Sequence, residues 1–358
     1  MSDIQPMLID TATKIMKDIC TKDLISNAEE GEFPQELWEA LKETGMTSIG
    51  VSEESGGVGG DIKDAMSLLK VAGKFTAPIP LAETLLANWI LGVARLPLKN
   101  SPLTLIPALK KDRITFKKVE DGWVVSGKAQ YIPWARDVQD MVVFGKTSDG
   151  QQVVTTLSTT DCQINRGQNL AGEPRDEVHV PENLIENDRV AIVQNLTYED
   201  ICNRGALTRI ALMAGALENA LELTLTYANE RTQFGRPIGK FQAVKQQLAV
   251  LTGEVMASGI AADSAVAAYE NSGQNEEIAM AKIQVGEATK AVTNIAHQVH
   301  GAMGFTDEHP LHYSTRRLWS WQDEYGTDSE WADLLGDKIL EEKSDVWSMF
   351  TESPRQLT

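Results

Sequence analysis

Three short segments concentrate the residue types that do chemistry. Arg231-Thr-Gln-Phe-Gly-Arg-Pro-Ile-Gly-Lys-Phe-Gln242 packs arginine, glutamine, phenylalanine and glycine between two helical stretches. Its Arg231 fork can hold a pyrophosphate and Phe234 can wall a ring. The same residues also suit a plain connection, with Gly235 and Pro237 stopping a helix. Gln298-Val-His-Gly-Ala-Met-Gly-Phe-Thr306 sets Gly301 and Gly304 after a helix, either as terminators or as bare backbone for a flat or phosphorylated ligand. Arg316 to Thr327 places Asp323, Glu324 and Tyr325 before a Gly-Thr turn. An acidic pair there is ordinarily solvated. A carboxylate facing an apolar pocket, however, has its pKa raised and can act as a base. His297, His300, His309 and His312 are clustered in sequence, but no carboxylate or thiol arrangement completes a metal site.

The elements that must position these segments follow from apolar periodicity. Leu207, Ile210, Ala214, Leu217, Leu221 and Leu225 recur at helical spacing, as do Ile278, Ala281, Val285, Ala288, Val292, Ile295 and Val299. Each set predicts one apolar face on a long helix. Residues 1–100 also read as helical, interrupted at Ser52 to Asp61 by a loop rich in glycine. Between them the period changes. The runs starting at Ile114, Trp123, Met141 and Gln152 are short and β-branched, separated by Glu120-Asp121-Gly122 and Ser148-Asp149-Gly150. The reading is an α+β chain: a helical domain over 1–100, an antiparallel β-domain over 101–193, and a helical bundle over 194–358.

Composition bounds the partners. The 358 residues carry 33 Lys+Arg against 51 Asp+Glu, a net charge of −18. That field disfavours nucleic acid and anionic membrane surfaces, so an anionic ligand needs a local cluster of arginine or backbone N–H groups. No uncharged apolar run reaches the ~20 residues of a membrane span, and no basic, apolar leader opens the sequence. Cys20, Cys162 and Cys202 are far apart. A reducing, cytoplasmic setting is expected, with neither membrane insertion nor a metal.

Taken in order, RTQFGRPIGKFQ, QVHGAMGFT and DEYGT resemble the acyl-CoA dehydrogenase family of flavoenzymes, as does the opening FPQELWEALKETGMTSIGVSEESGGVGG. The resemblance covers nearly the whole chain. It implies an N-terminal helical domain, a middle β-domain and a C-terminal four-helix bundle, with FAD bound across a subunit interface. It places Arg231 on the FAD pyrophosphate, with Gln233, Phe234 and Gln242 near the cofactor. Gln298 and Gly301 are presented to the adenosine half of a neighbouring subunit's FAD, and the Thr327 hydroxyl and amide meet the phosphates.

Two departures stand out. The family base is commonly the glutamate of Tyr-Glu-Gly-Thr; here Tyr325 takes that position and Glu324 stands one residue earlier. A subset carries the base on an earlier bundle helix, where this chain has Gly205. In the middle domain, the family's Thr-Glu-Pro…Gly-Ser-Asp stretch is missing from Leu103 to Asp112, and Tyr131-Ile132-Pro133-Trp134-Ala135 replaces Trp-Ile-Thr. Pro133 removes a hydroxyl and a backbone donor. Such deviations resemble short subunits of heteromeric acyl-CoA dehydrogenases. The implied reaction is α,β-desaturation of an acyl-CoA thioester, with Glu324 the first candidate base and Asp323 the second, and an electron-transfer flavoprotein as acceptor. The alternatives are a non-catalytic subunit completing FAD sites in a homologous partner, homo- or hetero-oligomeric, and a flavin monooxygenase or oxidase on the same fold.

Overall fold

The computed structural model describes residues 5–107, 114–272 and 276–341. Five helices open the chain: α1 (Gln5–Ile19), α2 (Lys22–Glu29), α3 (Gln35–Glu43), α4 (Ile62–Lys74) and α5 (Leu81–Ala94). Local chemistry sets their ends. Thr21 caps α2 through its side chain, and Asp61 and Asp64 form a reciprocal capping box at α4. Pro34 stands just ahead of α3 rather than inside its first turn. The glycine-rich loop before α4 holds Gly56, Gly59 and Gly60 at positive φ.

Strands then run from Leu103 to Val193 in two four-stranded sheets. One joins β1 (Leu103–Ile106), β4 (Asp140–Lys146), β5 (Gln152–Ser158) and β8 (Val190–Val193) in that order; β1 pairs parallel to β4 and the rest are antiparallel. The other is antiparallel, β2 (Thr115–Val119), β3 (Gly122–Pro133), β7 (Arg175–Ile185), β6 (Gln163–Asn165). Val125, Val143, Val153 and Val178 lie in the core of this unit. The four anticipated β-branched runs correspond to β2, β3, β4 and β5. Part of the Leu103 to Asp112 region, residues 108–112, lies outside the described residues.

The C-terminal unit is built on α6 (Tyr198–Glu230), the hairpin β9 (Thr232–Gln233) and β10 (Arg236–Pro237), α7 (Gln242–Ser272), α8 (Glu276–His300), α9 (Leu311–Trp321) and α10 (Asp328–Glu341). The stripe on α8 is buried as its spacing predicts, with Ile295 alone at the margin. Segment Gln242–Glu270 of α7 is long and apolar enough to cross a membrane by length and composition. In the fold it packs alongside α6 and α8, with Leu251, Val255, Ala262, Ala265 and Val266 in the common core. The N-terminal helices dock on this bundle where α4 meets α6 backbone to backbone. A Cβ on Gly73 would stand 2.8 Å from Leu212 Cα, and one on Gly215 2.7 Å from Lys74 N. All three cysteines are free thiols; burial pushes Cys20 up to about 12 and Cys162 up to about 11.

Candidate active site

Glu324, Tyr325 and Gly326 sit in the turn between α9 and α10, not on a helix. Tyr325 (φ 56) and Gly326 (φ 99) both take left-handed backbone. The turn is braced from beneath. The buried Lys282 ammonium on α8 donates to Gln322 O at 2.9 Å and Glu324 O at 3.0 Å, and Trp331 Nε1 donates to Tyr325 O at 3.0 Å. Burial lowers the Lys282 pKa to about 8, partly offset by Glu324.

The surroundings of Glu324 bear on its expected role as a base. Arg175 of β7 donates from Nε to Glu324 Oε1 at 2.7 Å, and Arg209 of α6 donates to Oε2. Arg209 also pairs with Glu83 of α5, and Arg175 with Glu173. Glu173 in turn accepts from Trp321 Nε1 at 2.9 Å and faces Arg317. Burial alone would raise the Glu324 pKa, but the two guanidiniums outweigh it and hold the carboxyl below its ordinary range. With both oxygens committed to arginine, Glu324 is a locked anion that ties α5, β7, α6 and the turn together. That is the reverse of a raised-pKa carboxylate in an apolar pocket. Asp323, the second candidate, is exposed on the same turn.

The two positions that the resemblance assigns to a base, 205 and 325, come together, and neither is acidic. The Tyr325 ring lies on the bare backbone of Gly205, where an added Cβ would stand 2.7 Å from Tyr325 Cζ. Burial raises the phenol's pKa, an effect partly offset by Arg209, whose guanidinium carbon is 5.5 Å from the ring centroid. The phenol is therefore neutral at physiological pH.

Thr327 is likewise already engaged. Its amide donates to Glu330 Oε2 at 2.9 Å, its hydroxyl to the same oxygen at 3.2 Å, and Glu330 N donates to Thr327 Oγ1 at 3.1 Å. This is the capping box of α10. The groups expected to meet a phosphate are thus occupied by an internal carboxylate, which a phosphate would have to displace.

The other expected cofactor residues are open. Arg231 ends α6 and is exposed, and among the described residues no carboxylate pairs with it. Gln233 lies in the β9–β10 hairpin opposite Arg236. Phe234 follows at φ 52 with 91% of its surface exposed, edge-on to Phe241, while Gln242 opens α7. On α8, Gln298 is exposed. Gly301 has φ 60, with nothing within 4 Å of where a Cβ would project. An unpaired guanidinium, an uncovered aromatic ring and bare backbone fit a ligand carrying phosphates and flat rings. The structure thus brings together Glu324, Tyr325 and Thr327 on one turn, and leaves Arg231, Gln233, Phe234, Gln242, Gln298 and Gly301 exposed. Sequence reasoning missed Arg175, Arg209, Glu83 and Lys282, which lie far along the chain from the turn they hold.

Comparison with known proteins agrees with this architecture. The acyl-CoA dehydrogenase N-terminal domain model matches residues 2–94, and the C-terminal domain model matches residues 199–328. The curated relatives include acyl-CoA dehydrogenase IpdE2 of Mycolicibacterium smegmatis, 27% identical over 322 residues, covering 88% of this chain and 93% of that protein. Among solved structures, the ChsE4-ChsE5 complex from Mycobacterium tuberculosis superposes with TM-score 0.88 at 20% identity, over 96% of this chain and 99% of that one. The FAD complex of PigA gives TM-score 0.82 at 19% identity, over 95% and 98%. With family models matching both helical ends and the fold shared throughout, the chain belongs to the acyl-CoA dehydrogenase family.

Proposed function

We propose that this chain serves as a subunit of a heteromeric, FAD-dependent acyl-CoA dehydrogenase, completing the flavin site of a homologous partner that carries the catalytic base. The observation that carries this reading is the Tyr325 ring seated on Gly205. Both family positions for the base are thereby filled by a neutral phenol and a glycine. The Arg-clamped Glu324 supports the same reading, since a carboxylate held low by two guanidiniums is a poor proton acceptor.

The division of labour follows from which residues are open. FAD, once bound, supplies the hydride acceptor for α,β-desaturation. Arg231 neutralises its diphosphate, Phe234 covers a ring edge, and Gln298 and Gly301 present polar and bare backbone surface to the adenosine. All four residues are exposed and so open to a second subunit. The Thr327 amide and hydroxyl, by contrast, serve α10. The ChsE4-ChsE5 complex and the Tcur3481-Tcur3483 steroid ACAD are each named as a pair, and a chain of each shares this fold, a precedent for the arrangement. An electron-transfer flavoprotein is the expected acceptor.

The test is flavin stoichiometry. The purified chain alone should be colourless, and co-expression with a homologous chain should give a yellow complex with fewer flavins than subunits. Glu324→Gln in that complex, assayed below its lowered melting temperature, should retain desaturation per bound flavin. A chain that is yellow alone and bleached by an acyl-CoA overturns the proposal and returns the base to Glu324 or Asp323. Oxygen uptake by reduced flavin would instead indicate oxidase or monooxygenase chemistry.

A further inference from the structure

Four arginines near the base of α6 and its neighbours are buried: Arg175 at 7% exposure, Arg204 at 8%, Arg209 at 1% and Arg317 at 0%. Arginine is almost never buried without an acidic partner, because desolvating an unpaired charge costs several kcal/mol. Three of the four obey this rule. Arg175 pairs with Glu173 and Glu324, Arg209 with Glu83 and Glu324, and Arg317 with Glu29 and Glu173. Arg204 does not: among the described residues no carboxylate pairs with it.

What surrounds Arg204 is aromatic. Its guanidinium carbon lies 4.5 Å from the Trp89 ring centroid, and it donates a hydrogen bond to the Tyr269 phenol. An indole face attracts a cation without neutralising it, and a neutral phenol accepts a hydrogen bond without supplying a counter-charge. Burial accordingly lowers the Arg204 pKa, with only Tyr269 acting in the opposite direction. The group nonetheless stays cationic at neutral pH. Nearby acids are committed elsewhere: Glu270, next to Tyr269, pairs with Lys63, and Asp61 and Asp64 form the α4 capping box. Trp89 and Tyr269 both retain partial exposure. The Gly50 backbone forms a further wall, since a Cβ there would come within 3.9 Å of Arg204 Nη2.

We propose that Arg204, between Trp89 and Tyr269, is the binding site for a ligand carboxylate, which supplies the counter-ion this arginine lacks. A planar carboxylate matches the guanidinium fork with two parallel hydrogen bonds, and the indole face holds the fork in place from behind. Arg204 is not among the residues assigned to the flavin. It lies one residue from Gly205. A carboxylate there could be the far end of a dicarboxylic acyl-CoA or a free acid.

Isothermal titration of the full chain with adipoyl-CoA, adipate and hexanoyl-CoA tests the proposal. A carboxylate ligand should bind about 10- to 100-fold more tightly than hexanoyl-CoA, the range expected for a charge-assisted pair. Tight binding of adipate assigns the site to a free acid; tight binding of adipoyl-CoA alone assigns it to an acyl-borne carboxylate. Arg204→Met should abolish that preference and raise the melting temperature of the unliganded chain, because it removes an uncompensated buried charge. A purely structural arginine would do the reverse and lower it. Arg204→Lys, which keeps the charge without the fork, should weaken binding about tenfold and carries the test should the methionine variant fail to fold. Equal affinity for all three probes, or a preference unchanged in both variants, overturns the proposal.

Discussion

Tyr325 occupies the space a side chain at Gly205 would need, with the ring carbon Cζ 2.7 Å from the site of the missing Cβ. The two positions are therefore coupled: glycine at 205 permits the tyrosine at 325. Gly205→Ala should destabilise the chain by about 1–3 kcal/mol, the usual cost of overpacking a core. Chemical denaturation checks this. The double variant Gly205→Ala with Tyr325→Gly should recover most of that loss, so the two changes should be strongly non-additive.

Glu324→Gln should be destabilising by about 3–5 kcal/mol, since it leaves Arg175 and Arg209 facing each other without their shared anion. The wild-type contribution depends on pH. The folded Glu324 pKa lies below its unfolded value, so its stabilisation is complete above about pH 4.3 and is lost as pH falls through the lower folded value. Melting curves of both proteins from neutral to acid pH should converge at the acid end.

Glu330→Ala should release the Thr327 amide and hydroxyl from the α10 capping box. If Thr327 can serve a phosphate, flavin retained by the complex should rise while the chain loses about 1 kcal/mol of cap stability. Absorbance at the flavin band after gel filtration measures the first, thermal melting the second. Unchanged flavin assigns Thr327 to capping alone.

Phe234→Ala should leave the melting temperature of the isolated chain unchanged, because the ring is 91% exposed. The same substitution should weaken flavin retention or assembly with the partner, measured by sedimentation and flavin content. Arg231→Ala should have the larger effect on flavin, since it removes the charge opposite the diphosphate.

The histidines around the end of α8 set an acid limit on stability. His297 stacks on Phe305 with centroids 4.1 Å apart, His300 on Tyr227 at 4.4 Å, and His309 lies 4.5 Å from His300. Burial lowers the pKa of His297, His300, His309 and His312, that of His309 to about 4. Their folded values lie below the unfolded value of ~6.5, so each binds fewer protons folded than unfolded. Stability should be full above about pH 6.5 and should decline as pH falls toward 4. Replacing His309 with Gln should flatten that decline in a pH series of melting temperatures.

Much of the fold was legible because it repeats. The α8 stripe from Ile278 to Val299 has helical spacing, and the buried residues follow it. Strand β7 was missed because RDEVHVPENLI alternates charged with apolar residues and contains Pro181; its pairing to β3 shifts register near that point. The three candidate cofactor segments are singled out by their residue types together with the family resemblance. The Glu324 clamp could not, since Arg175 and Arg209 lie 149 and 115 positions away in sequence. A carboxylate's surroundings decide whether it is a base or an anchor, and those surroundings are tertiary.

The paired glycines between α4 and α6 bear on how this protein can be recombined. Gly73 and Gly215 each accept the other helix's main chain in place of a side chain, so they act as one packing unit. A chimera that took its first hundred residues from a relative with a bulkier residue at either position would hold the two helices apart. The spacing among Glu83, Arg209 and Glu324 would widen with it, and engineering at the turn would be undone by a graft made some distance away.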